Sequence, residues 1–150
     1  MLVGGNEGQI KSLKEIACQK NVSDSFIFTG IVPFDSVADY IEFADILVSP
    51  RIEGNNTPLK IYSYLKSGKP IVATNLPTHT QVLSSDVAVL TEPTPKAFAE
   101  GILAVLDNGE LRISLSENAK KLVEEKYSYE NYLAKTKEVL EAVYSNEKTF

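Results

Sequence analysis

The residue types that could do chemistry are concentrated in one stretch, Ser49-Pro50-Arg51-Ile52-Glu53-Gly54-Asn55-Asn56-Thr57-Pro58-Leu59-Lys60. It joins the expected end of a strand to the expected start of a helix. The first amides of a helix have no internal partners and sit at the positive end of its dipole. Such a junction can hold a phosphate or diphosphate. Gly54 permits close backbone approach, Asn55, Asn56 and Thr57 offer hydrogen bonds, and Arg51 and Lys60 offer positive charge. The plainer reading is an ordinary capped loop, with Thr57 as N-cap and Pro58 at the first helical position. Local features alone favour that plainer reading. The stretch is not a P-loop, because no Gly-Lys-Ser/Thr closes it.

Other candidates carry less. Gly4-Gly5-Asn6-Glu7-Gly8 follows a strand-like run but does not meet the G-x-G-x-x-G spacing, so it reads as a plain turn whose position still allows ligand contact. His79 is the only histidine and lies in polar Pro77-Thr78-His79-Thr80-Gln81. It could orient or protonate a ligand, but on chemistry alone it reads as a surface histidine without a role. No metal site is expected, since there is no second histidine, no cysteine pair and no tight carboxylate cluster. Cys18 falls inside the first helical pattern near its apolar face, which argues against a nucleophile. A glycosidase-type carboxylate pair would need two partners close in space; Glu53 and Glu92 lie on loops of the same expected side, which does not fix their separation. A receiver domain is excluded because no acidic pair follows the first strand. Tyr127, Tyr129, Tyr132 and Tyr144 are expected to pack in the core and between elements. Lys120–Glu124 and Lys121–Glu125 are expected i,i+4 pairs on a solvated face.

These residues need a scaffold, and the hydrophobic pattern supplies one. Short apolar runs at Met1-Leu2-Val3, 26–30, 45–50, 70–74 and 87–90 read as buried strands without period-two alternation. Between them, Ile10, Leu13 and Ala17, and then Val37, Tyr40, Ile41 and Ala44, recur at helical spacing. Asp35 or Ser36 is the expected cap of that second helix. A third helix runs from Leu59 to Lys66 and stops at Gly68. Residues 75–85 form a loop with a short helix at most. After Pro95 three apolar stripes predict helices nearly to the end, with Ser145–Phe150 frayed. Alternating strands and helices predict an α/β domain, a Rossmann-like parallel sheet with helices on both faces and a helical C-terminal tail. Ligands of such sheets sit beyond the carboxyl ends of the strands, which makes loops 4–8, 30–34, 50–60, 74–81 and 91–95 the candidates.

Composition bounds the function. The chain of 150 residues, 43% hydrophobic and 23% charged, has the make-up of one globular domain. The net charge of −5 argues against a sequence-independent nucleic-acid binder. A single cysteine excludes an internal disulfide and fits a reducing compartment. No apolar run approaches a membrane span, and no secretory signal precedes the first helix.

The order of motifs resembles the C-terminal, nucleotide-sugar-binding half of family 4 retaining glycosyltransferases with the GT-B fold. The matching segments are Val3-Gly4-Gly5, Phe28-Thr29-Gly30-Ile31-Val32-Pro33, Tyr40 through Pro50, Glu53-Gly54, Thr57-Pro58-Leu59-Lys60 and Gly68-Lys69-Pro70-Ile71-Val72-Ala73-Thr74, followed by Tyr127-Ser128-Tyr129 in the tail. Each is weak alone, and their order and spacing are specific together.

The resemblance implies a site. Val32 and Pro33 lie in the base-contacting segment, and Gly4 and Gly5 form the glycine loop facing the donor. Glu53, Gly54, Asn55 and Asn56 belong to the loop that meets the donor sugar, with Glu53 as the catalytic candidate. Thr57, Pro58 and Leu59 align with the helix start whose amides hold the diphosphate, and Lys60 adds charge. The family's second glutamate, which grips the ribose, falls on Ser63; Asn55, not Glu53, stands at the usual offset from it. The implied parent enzyme transfers a sugar from a nucleoside-diphosphate sugar to a saccharide or lipid-linked acceptor with retention. It is metal-independent, has no other cofactor, and is cytoplasmic with peripheral membrane association. It would serve polysaccharide biosynthesis. The family's basic pair and its acceptor-binding domain are expected upstream of residue 1, so residues 1–150 read as one donor-binding domain truncated at its N-terminus and inactive alone. Two alternatives stand beside this: a non-catalytic nucleotide- or sugar-phosphate-binding module, and a Rossmann-like interaction domain with no ligand.

Overall fold

The structure, a computed structural model, describes residues 1–147. It divides into two compact units, Met1–Phe43 and Ala44–Phe150. Of the expected frayed end, residues 148–150 lie outside the described residues, whereas the backbone stays helical to Glu147.

The first unit holds α1 (Glu7–Gln19), 3-10 turns at Ser23–Ser25 and Phe34–Ser36, and α2 (Val37–Phe43). A reciprocal capping box starts α1: Asn6 accepts from the Gln9 amide at 3.0 Å, and Gln9 accepts from the Asn6 amide at 2.9 Å. The two expected buried strands are reduced to isolated bridges, Leu2 with Phe28 and Gly4 with Gly30. Leu2, Val3, Phe26 and Ile27 remain exposed. Gly4 and Gly5 take φ of 94° and 91°, which turns the chain out of extended conformation after three residues. The expected cap at Asp35 or Ser36 is replaced by the 3-10 turn, where the Ser36 hydroxyl donates to the Pro33 carbonyl at 2.8 Å. Cys18 on α1 is exposed, as are its apolar neighbours Leu13 and Ile16.

The second unit holds β1 (Leu47–Ser49), α3 (Lys60–Ser67), β2 (Ile71–Thr74), α4 (Pro77–Thr80), β3 (Val89–Thr91), α5 (Pro95–Asp107), α6 (Gly109–Lys126) and α7 (Tyr129–Glu147). The strands form a parallel sheet in the order β1-β2-β3, with Ser49 beside Ala73 and Thr74 beside Thr91. Alternation along β2 assigns the two faces. Ile71 and Ala73 pack with Ile61 and Leu65 of α3, Leu83 and Ala119, while Val72 packs on the other side with Val105 of α5 and Leu115. The single helix α6 serves both faces through Ala119 and Leu115. Each fully buried Ile or Leu here contributes about 2 kcal/mol of transfer free energy.

Local signals end the elements. Gly68, at φ 66°, closes α3. Thr94 caps α5 by accepting from the Ala97 amide at 3.2 Å, and Asn108 caps α6 by accepting from Leu111 at 2.9 Å. The tyrosine cluster departs from expectation. Tyr127 is half-buried edge-on against Tyr62, with ring centroids 5.2 Å apart, but Tyr129, Tyr132 and Tyr144 are exposed. Of the two predicted ion pairs, Lys121–Glu125 forms at 3.8 Å, while the Lys120 stem lies over Gly68 instead.

Candidate functional site

The site candidates of the second unit gather at the carboxyl edge of its sheet, where β1, β2 and β3 end in Ser49, Thr74 and Thr91. The loop after β1 is held closed from inside. The Arg51 guanidinium donates to the Asn56 carbonyl at 2.5 Å and lies against Gly54. A Cβ at Gly54 would stand 2.9 Å from the Arg51 guanidinium carbon, and φ there is 133°. The bare glycine backbone therefore makes room for the Arg51 side chain.

Two further bonds tie this loop to the segment after β2. The Thr74 hydroxyl donates to the Arg51 carbonyl at 2.5 Å, and the Thr57 hydroxyl donates to Gln81 Oε1 at 3.2 Å. Thr57 is thus not the N-cap. Helix α3 begins at Lys60, with Leu59 as its cap residue and no side-chain cap bond, and Pro58 precedes the first turn. The amides of Ile61 and Tyr62 bond back to the carbonyls of Pro58 and Leu59. The Leu59 and Lys60 amides are left without a protein partner among the described residues.

Positive charge converges here. The Lys60 ammonium lies 5.7 Å from the centre of the Tyr64 ring. Lost solvation, and then the Arg51 charge, hold the Lys60 pKa below its ordinary value. No carboxylate pairs with Arg51 or Lys60 among the described residues. Glu53, Asn55, Asn56 and Ser63 are exposed, and the Glu53 and Ser63 side chains have no protein partner there.

His79 overturns its expected place on the surface. It is 0% exposed, and both ring nitrogens are bonded. Nε2 is 2.9 Å from Ser49 Oγ; Nδ1 is 2.9 Å from the Thr74 carbonyl oxygen and 3.1 Å from Thr74 Oγ1. Burial holds its pKa below 6.5, opposed by the Thr74 carbonyl bond and reinforced by Lys60 and Arg51. The sequence signal was thin: one histidine between apolar Leu76 and the Val82-Leu83 pair.

In the first unit, the Gly4 amide is spent on the Gly30 carbonyl and Thr29 Oγ1, at 3.0 and 3.2 Å. Val32 is half-buried and Pro33 exposed. An open cavity of about 550 Å3 lies at the other edge of the sheet, by Asp45, Ile46 and Pro70. Among the described residues no group of three or more His, Cys, Asp and Glu side chains could hold a metal ion, and no helix is long and apolar enough to cross a membrane.

The chain is similar to proteins of known kind. It is 23% identical to an uncharacterized glycosyltransferase of Methanocaldococcus jannaschii over 94% of this chain and 36% of that protein. It is 26% identical to the putative glycosyltransferase YtcC of Bacillus subtilis over 80% of this chain and 30% of that one. The chain thus spans about a third of the length of these relatives. Its fold matches Anabaena HepE, solved in complex with UDP, with a TM-score of 0.85 and 16% identity over 94% of this chain and 40% of that one. It also matches sucrose-phosphate synthase of Thermosynechococcus elongatus, with a TM-score of 0.83 and 18% identity over 97% of this chain and 38% of that one. Such likeness establishes the Rossmann-like fold of a GT-B C-terminal half. The model of the glycosyl transferases group 1 family matches residues 1–122, most of the chain, and the chain belongs to that family.

Proposed function

We propose that residues 1–150 are the donor-binding domain of a cytoplasmic glycosyltransferase. It moves a sugar from a nucleoside-diphosphate sugar to a saccharide or lipid-linked acceptor, with retention and without a metal. The acceptor site, and any peripheral membrane contact, belong to parts of the protein outside this chain. The observation that carries the reading is the pair of cations, Arg51 and Lys60, beside the Leu59 and Lys60 amides, none of them with a carboxylate or protein acceptor to neutralise it among the described residues other than the Arg51 contact to the Asn56 carbonyl. That is the chemistry a departing diphosphate requires: fixed donors and positive charge where negative charge develops.

Within this proposal Glu53 is the catalytic candidate, and Gly54, Asn55 and Asn56 shape the sugar-facing loop. Thr57, Pro58, Leu59 and Lys60 form the diphosphate segment, and Ser63 takes the place of a ribose-gripping glutamate. Gly4, Gly5, Val32 and Pro33 of the first unit are proposed donor contacts by resemblance. Ser63 also favours a second reading, a nucleotide-binding module without catalysis.

Titration of the chain with UDP, GDP and ADP, followed by amide NMR, tests the binding claim. Shifts are expected at residues 51–60 for at least one nucleotide, unchanged by EDTA, and a Lys60→Ala variant should bind about tenfold more weakly. No shift at millimolar nucleotide sinks both readings. Binding by the full-length protein without donor turnover selects the second.

A further inference from the structure

The donor reading makes no use of the most buried polar side chain at the site, His79. Its partners are the terminal residues of two neighbouring strands, Ser49 of β1 and Thr74 of β2. The direction of the bonds follows from the chemistry of each group. The Thr74 carbonyl can only accept, so His79 Nδ1 carries the proton. In the neutral ring Nε2 is then an acceptor, and the Ser49 hydroxyl donates to it. Thr74 Oγ1 faces that same Nδ1–H at 3.1 Å and accepts from it, so its single proton is directed to the Arg51 carbonyl. With the proton on Nε2, Thr74 would turn its hydroxyl toward Nδ1, and Arg51 would lose its anchor.

We infer that His79 is the positioning residue of the loop after β1: its Nδ1–H orients the Thr74 hydroxyl, which holds the Arg51 carbonyl and with it residues 51–57. The inference rests on the proposed donor site for its functional meaning, because that loop carries Glu53 and the Arg51 charge. Its structural content is independent of any nucleotide. His79 touches no donor group in this scheme and acts through Thr74.

The experiment reads the loop and the ligand separately, on the full 150-residue chain. Order of the 52–56 amides is measured by nitrogen-15 relaxation without ligand, and nucleotide affinity by titration. His79→Leu removes the ring. Thr74→Val keeps the branched shape of the strand residue and removes only the hydroxyl. His79→Asn places an amide donor where Nδ1 stood. The loop should become mobile in His79→Leu and Thr74→Val, with affinity about tenfold lower in both, and should stay ordered in His79→Asn. The wild-type ring should show a protonated Nδ1 and a bare Nε2 in its nitrogen shifts. If His79→Leu fails to fold, Thr74→Val decides. An ordered loop in Thr74→Val, a loop in His79→Asn as mobile as in His79→Leu, or a proton on Nε2 overturns the assignment. If the wild-type chain binds no nucleotide, the donor reading fails while loop order still decides the role of His79.

Discussion

The two units solve the same folding problem to different degrees. In the second, both faces of the sheet are covered, and Ile61, Leu65, Ile71 and Val72 are wholly shielded from water. In the first, Ala17 is the one buried apolar side chain among the described residues, while Leu2, Ile27, Ile31 and Phe34 stay exposed. Both units contain apolar runs of similar make-up. What differs is whether helices close over them. The second unit therefore supplies a rigid platform, and its loops at the carboxyl edge can be fixed by side-chain bonds to strand ends. The first carries its glycine loop on single bridges.

A matched pair of truncations tests that contrast most strongly. Leu65 is 0% exposed in the α3 face, and Leu65→Ala should cost about 3 kcal/mol through lost transfer energy and a residual cavity. Ile27 is 64% exposed, and Ile27→Ala should stay within about 0.5 kcal/mol. Urea unfolding of the two variants reads the difference directly. Equal losses would mean that the first unit is as tightly packed as the second.

Much of the second unit was legible from sequence because its signals are local. Thr94-Pro95 marks the start of α5, Gly68 the end of α3, and Ile71-Val72-Ala73-Thr74 the central strand. The Arg51–Lys60 stretch was recognisable by its residue types and its place after a strand. What failed depended on distant partners. His79 sits in polar company along the chain, and only Ser49 and Thr74, from two strands, make it a buried group. Thr57 looked like a cap because Pro58 followed it, but Gln81 takes its hydroxyl. The runs at 1–3 and 26–30 looked buried because composition says what could be covered, not what covers it. The tyrosines of α7 were misplaced for the same reason.

Glycine substitutions sharpen the comparison at the loops. At Gly54, alanine must adopt φ 133° and displace the Arg51 guanidinium, so Gly54→Ala should lose about 2 kcal/mol and weaken nucleotide binding together. At Gly4, φ is 94° but nothing lies within 4 Å of an added Cβ, so Gly4→Ala should cost only backbone strain, about 1 kcal/mol. Thermal unfolding ranks the two. A larger loss at Gly4 would put the tighter loop in the first unit.

Acid should act on the second unit. The folded pKa of His79 lies below its ordinary 6.5, chiefly through burial, with Lys60 and Arg51 adding repulsion against the Thr74 carbonyl bond. As pH falls below 6.5, the unfolded chain takes up a proton that the folded ring refuses. Stability is therefore full above that value, and falls until the folded pKa is reached, with a slope of at most about 1.4 kcal/mol per pH unit. His79→Asn should flatten this part of the profile in urea titrations. An unchanged slope in that variant would assign the acid sensitivity to other groups.

The smallest effect separates the units by location. Asn6 is half of the capping box that starts α1, and its side chain satisfies the Gln9 amide. Asn6→Ala leaves that donor to water and should cost about 0.5–1 kcal/mol. Because the bond is local to the first unit, the loss should appear as faster hydrogen exchange in Glu7–Gln19 with no change in Ile71–Thr74. Ile71–Thr74 is held by pairing to strands on both sides and by cores on both faces, none of which involves Asn6. Exchange that quickens equally in both segments would show that the two units open as one cooperative body, and the contrast in burial would then not be a contrast in stability.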